Sequence, residues 1–244
     1  GISSANRIGN RVFYVQYYIA FCFPAYFAGF CALPEQIYPL TECADRSGTM
    51  ADVYAQLEAI LVNTYAQDRA LRMQAEEDLK AFLALPNSFN GFLGMCQLTT
   101  VNVNVKMAAV LTLKNNARNF WQPKDPVFAM ADPEKTQAKA TLLQLLLAET
   151  HNPLRTLLAE VMKAVVEHEF PTRWPELVPS LVTALQSTDR LTVFNSLIAV
   201  RKLVKFYEYR DVSERKPLYD VIIAVFPTLQ GLLGAIMQQN EIEV

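Results

Sequence analysis

From Met50 onward, apolar positions recur at three- and four-residue intervals, the spacing that lines one face of an α-helix. Residues 51–65 put Val53, Leu57, Ile60, Leu61 and Tyr65 on one side. Asp68 reads as the cap of a second helix to about residue 85, with Leu71, Ala75, Leu79, Phe82 and Leu83 inward. Pro86-Asn87-Ser88 stops it. A third helix is expected over 89–98 and a fourth over 103–120, with Met107, Val110, Leu111 and Ala117 inward. After the break Gln122-Pro123-Lys124-Asp125-Pro126, helices are expected over 133–149 and 153–168. Each of these opens on a proline, whose missing N–H is an orphan in a first helical turn anyway. Pro171 and Pro175 punctuate the next turn, before helices over 175–186 and 190–209. A last helix, 216–239, carries Pro227 inside it, where a kink is expected.

These helices pair. The first member of each pair starts near residue 51, 89, 134, 174 or 217, giving steps of 38, 45, 40 and 43 residues. Two-helix repeats of the HEAT kind have periods of about 40–47 residues. A single hairpin has too little interior to bury its apolar stripe, so neighbours must supply the missing surface. The pattern therefore predicts an all-α fold: an α-solenoid of about five HEAT-type hairpins in a right-handed superhelix over residues 50–244. A stack ending at Val244 would leave its last apolar face open, so the chain reads as part of a longer solenoid.

Residues 1–49 break the pattern. The stretch 12–33, VFYVQYYIAFCFPAYFAGFCAL, has no charge and would extend about 33 Å as a helix, enough to span a bilayer. Arg7 and Arg11 precede it, as in a signal anchor. Against that, Pro24 interrupts it, and its apolar residues are largely aromatic, which favours interfaces over membrane centres. Composition changes abruptly at Met50-Ala51-Asp52, which reads as a start leading straight into a helix. Three readings stand: an upstream segment outside the functional domain, which is the preferred one, a membrane anchor, or an extra buried helix.

Charge removes one class of partner. With 22 basic against 24 acidic residues the net charge is −2, so the surplus of Lys and Arg needed for general phosphate-backbone binding is missing. No direct nucleic-acid binding is expected. Cys22, Cys31, Cys43 and Cys96 form neither a disulfide framework nor a zinc spacing. No N-x-S/T acceptor occurs, and with the cysteine pattern this points to a reducing compartment.

Three segments carry a resemblance. They are Gln74-Ala75-Glu76-Glu77-Asp78-Leu79-Lys80, then Lys106-Met107-Ala108-Ala109-Val110-Leu111-Thr112-Leu113-Lys114-Asn115 followed by Trp121, and then Glu167-His168-Glu169-Phe170-Pro171-Thr172-Arg173-Trp174-Pro175-Glu176-Leu177. In this order and spacing they resemble the N-terminal end of importin-β-like nuclear transport receptors, the karyopherins, with an N-terminal domain over about 74–121. Val204-Lys205-Phe206-Tyr207-Glu208-Tyr209-Arg210 is further similar to the importin-7/importin-8-like branch. The likeness covers about residues 50–240.

The resemblance implies a receptor that binds the GTP form of the small GTPase Ran through the second, inner helices of its first repeats. It also implies protein cargo, contacts with FG nucleoporins, and shuttling between nucleus and cytoplasm. The inner helices would be about 68–85, 103–120 and 153–168. On them Lys106, Lys114, Asn115 and Arg118, with Arg155 and Lys163, are the expected Ran-facing residues. At about 100° per residue Lys106, Lys114 and Arg118 fall within a third of the helix circumference. Ala75, Glu76, Leu79, Leu113, Trp121, Phe170, Pro171, Arg173, Trp174 and Pro175 read as scaffold that marks the family rather than as contacts. Trp121 and Trp174 are expected inside, and Arg173 is expected to bond turn carbonyls or carboxylates. A HEAT-type scaffold unrelated to transport and a membrane-anchored helical protein are the other readings, though a membrane is not among the expected partners.

No catalytic residue, metal ligand or cofactor is expected. There is no G-x-x-x-x-G-K-[ST] phosphate loop, and His168 between Glu167 and Glu169 forms no H-E-x-x-H pattern. Those two carboxylates read as solvated charge at a helix end.

Overall fold

The computed structural model describes residues 50–122 and 130–242, so the readings of residues 1–49 fall outside the described residues. Among the described residues there are nine α-helices and no strand: α1 Met50–Asn63, α2 Arg69–Leu83, α3 Ser88–Gln97, α4 Val103–Trp121, α5 Asp132–Ala148, α6 Asn152–Glu169, α7 Leu177–Leu185, α8 Arg190–Glu208 and α9 Lys216–Ile242. Each expected helix is present with ends shifted by a few residues at most.

Local chemistry sets the boundaries. Three of the second helices begin on an Asx cap. Asp68 accepts from the Ala70 N–H at 2.9 Å, Asn102 from Asn104 at 2.8 Å, and Asp189 from Thr192 at 3.0 Å. Each such cap satisfies an orphan donor and contributes about 1 kcal/mol. Asn87, at φ 59°, makes the left-handed step between α2 and α3, which Asn tolerates better than most residues. Its side chain accepts from the Asn90 amide at 2.6 Å. The helix α9 runs through Pro227, where the sequence predicted a kink.

The helices pack as hairpins α1/α2, α3/α4, α5/α6 and α7/α8, with α9 laid on α7. Among the first helices α3 packs on α5 and α9 on α7, α5 also packs on α8, and the second helices α4, α6 and α8 form a continuous row. One apolar core follows the stack, from Leu57 and Phe92 through Leu113, Leu142 and Met162 to Leu181 and Leu203. Trp121 closes the second hairpin, its ring 4.9 Å from that of Phe89 and edge-on to it. Both tryptophans are buried.

Some positions expected inside are not. Tyr65 is 68% exposed because α1 ends at Asn63, before the face it would have joined. Leu71 is 44% exposed because α2 packs mainly on α1 and has an open outer side. A groove of about 370 Å³ between α1 and α2, lined by Ile60, Leu71 and Phe82 among others, opens there. Leu111 is exposed because it shares the face of Lys114 and Arg118, three and seven residues on. At the other end, Val221 and Val225 anchor α9 in the core while Ile223 and Phe226 face outward. Residues Lys216–Gln238 are long and apolar enough to cross a membrane by length and composition alone.

Candidate partner-binding surface

Charged residues in this chain sort into two kinds of setting, and the turn after α6 shows the first. Glu169, the last residue of α6, is only 2% exposed. Its carboxylate accepts from the Lys139 ammonium on α5 at 3.0 Å, and the Arg173 guanidinium stands 3.6 Å away. Lys139 also donates to the Arg173 carbonyl, and Arg173 donates to the His168 carbonyl at 2.9 Å. The expectation of solvated charge at this helix end is therefore corrected for Glu169: α5 and the turn fold over it, and Lys139 compensates its charge. Arg173, between two prolines, donates to a carbonyl of the last turn of α6 and forms an ion pair with the Glu169 carboxylate. Burial lowers the His168 imidazole below its ordinary range, and the charges of Arg118 and Arg173 act the same way against Glu167 and Glu169.

The same turn meets α8. The Phe170 ring stands edge-on to Tyr207 at 6.2 Å, and the Arg210 guanidinium lies 4.7 Å over the Phe206 ring. Two motifs read separately in the sequence are thus one contact between consecutive hairpins.

A second closed network joins α5, α6 and α8. Arg155, expected to face a partner from its spacing to Lys163, is 7% exposed. It donates to Asn195 at 2.9 Å and to Asn152 at 3.1 Å. Asn195 is fully buried and donates to the Leu147 and Glu149 carbonyls at 2.9 and 3.0 Å. Those carbonyls are orphans at the end of α5, so the next hairpin caps this one. Spacing eight residues along α6 could not reveal that Arg155 points between helices.

The open setting lies on the row of second helices. Lys114, Asn115 and Arg118 on α4 and Lys163 on α6 are exposed, while Lys106 is half-buried near the buried Cys96. Burial pushes the Cys96 thiol up to about 12, against the lowering effect of Lys106, which leaves it inert. The strip continues onto α8, beyond the expected inner helices. Lys202 on α8 forms an ion pair with Glu160 on α6. Partial burial works to raise the Glu160 carboxyl, but the hydrogen bond from Lys202 and the charges of Lys202, Lys163 and Lys114 hold it below its usual range. Exposed apolar side chains share these faces: Leu111 on α4, and Phe194 and Leu197 on α8, seven and four residues before the exposed Arg201. The helical spacing Phe194, Leu197, Arg201 in the sequence could have flagged this face. The arrangement suits an acidic, partly apolar protein surface.

The scaffold residues sort as burial dictates. Ala75, Leu113, Trp121 and Trp174 are buried, Leu79 and Phe170 partly so, and Glu76, Pro171, Arg173 and Pro175 face solvent.

Residues 75–148 match the family model described as the importin-beta N-terminal domain. The chain is 27% identical over 177 residues to importin-8 of Danio rerio, covering 70% of this chain and 17% of that protein. It is 28% identical over 168 residues to importin-11 of Homo sapiens, covering 68% and 17%. To exportin-2 of Dictyostelium discoideum it is 25% identical over 193 residues, covering 76% and 20%. Among solved structures, the exportin Cse1 in its cargo-free, cytoplasmic state matches with a TM-score of 0.68 at 18% identity, covering 77% of this chain and 20% of that one. That likeness shows the fold. The chain thus spans a fifth or less of the length of these relatives.

Proposed function

We propose, from the match of residues 75–148 to the importin-beta N-terminal domain and the likeness to importin-8 and importin-11, that this chain is the N-terminal part of an importin-β-family nuclear transport receptor that binds a Ran-type GTPase in its GTP form. The observation carrying the reading is the basic strip running across consecutive second helices, with Lys114 and Arg118 on α4 and Lys163 on α6 exposed and Lys202 on α8 half-buried in its pair with Glu160. A row of cations on a rigid stack speeds encounter with an acidic surface and favours it over other partners. Leu111, Phe194 and Leu197 add apolar area beside the charges. Cargo and FG nucleoporins would use surfaces that lie partly in repeats beyond these, and the receptor would shuttle between nucleus and cytoplasm. α9, laid on α7 in the first-helix row, serves as the opening helix of a fifth repeat. The protein works by binding, not by catalysis.

The experiment is a pull-down of the purified chain with a Ran-type GTPase loaded with GTP or with GDP. Preference for the GTP form is expected. No binding in either state, with helical circular dichroism intact, contradicts the proposal.

A further inference from the structure

The open strip contains a residue of the wrong sign at its centre. Glu160 sits on α6, the middle helix of the second-helix row, with Lys114 on the neighbour to one side and Lys202 on the neighbour to the other. Lys163 follows one turn later on α6 itself, so the two side chains share a face. Lys202 donates a hydrogen bond to the Glu160 carboxylate and forms an ion pair with it. Both side chains remain partly open to solvent, 23% for Lys202 and 30% for Glu160. Unlike Glu169, Glu160 is not needed to compensate a buried charge, and Lys202 could reach water if released.

We infer that Glu160 is a resident competitor on the docking strip: it holds Lys202 and partly neutralises its lysine neighbours, so an acidic side chain of a partner must displace it to gain the full set of cations. This deepens the reading of the strip as the docking face and rests on it. The lysines are held close together before any partner arrives, because an anion is already among them. The same anion weakens attraction for weakly acidic surfaces, so only a partner presenting several carboxylates at matching positions gains from the exchange. Building a cost against the wrong partner in this way is how specificity is separated from bare affinity. The surface is therefore tuned for a densely acidic protein segment.

The test compares the full chain with two variants of equal charge change. Glu160→Gln removes the competitor. Glu167→Gln removes a carboxylate farther along the same helix, where it faces Arg210 at 3.9 Å. Association rates are measured by stopped flow at low and moderate salt, against an oligoglutamate peptide and against the GTP-loaded Ran-type GTPase. Glu160→Gln is expected to associate about threefold to tenfold faster with both probes at low salt, with a steeper loss on adding salt. Glu167→Gln is expected to change either rate by less than half as much on a logarithmic scale. If Glu160→Gln binds both probes no faster than the parent chain, or no faster than Glu167→Gln, the inference is overturned. If the peptide responds as expected while the GTPase binds none of the proteins, the competitor role stands and the proposed partner fails. If the GTPase binds in its GTP form and Glu160→Gln changes nothing, the partner stands and the competitor role fails.

Discussion

Two regions of α6 hold the same kinds of charge and use them in opposite ways. At its C-terminal end Glu169 is shut between α5 and the following turn, with Lys139 and Arg173 as partners. Near its middle, Glu160 and Lys163 stand on a face shared with Lys114 and Lys202, open to water. The closed set joins consecutive elements and offers nothing to a partner. The open set adds little to stability and keeps its charges available. A glutamate's place in the helical register does not say which it is. What decides is whether another element folds over it.

The contrast breaks most visibly at Glu169. Glu169→Ala leaves Lys139 buried without compensation, and the cost is expected to be about 3–5 kcal/mol in urea denaturation. A loss near that of an ordinary surface change would mean the turn is not closed. Asn195→Ala should come next, at about 2 kcal/mol, because it strands two carbonyls at the end of α5 and removes one of the acceptors of the Arg155 guanidinium. The same denaturation series measures it.

The Lys202–Glu160 pair lies on the open side and should matter less. Lys202→Met is expected to cost at most about 1 kcal/mol at neutral pH, given the exposure of both groups. Glu160 has its carboxyl lowered in the folded chain, so its contribution is present above the ordinary carboxylate range and disappears as pH falls through the lowered value. The difference between parent and Lys202→Met should therefore shrink towards zero in acid, read from melting temperatures across a pH series. Smallest of all is the effect of Lys114→Glu with Lys163→Glu on stability, expected within about 0.5 kcal/mol per site.

Much of the stack was legible in the chain itself. Helical spacing, the Asx cap at Asp68, and prolines at 133 and 153 locate the hairpins because those signals are local. Trp121 and Trp174 were readable as interior because large aromatics seek burial. The side of a helix that remains open was not legible, because it depends on neighbours distant in sequence. Leu71 and Leu111 have core-like spacing yet face solvent, and Arg155 has surface-like spacing yet is enclosed by α8. Lys202 was missed for the same reason: the expected inner helices stopped at 153–168, and its place beside Glu160 depends on α8 packing against α6.

Whether the open strip is the docking face is tested most directly by isothermal titration of the GTP-loaded Ran-type GTPase into the full chain and into Lys114→Glu/Lys163→Glu. The account predicts that the parent binds and that the charge-reversed protein, with its melting temperature unchanged, binds at least about tenfold more weakly. Equal affinities for the two proteins would contradict it.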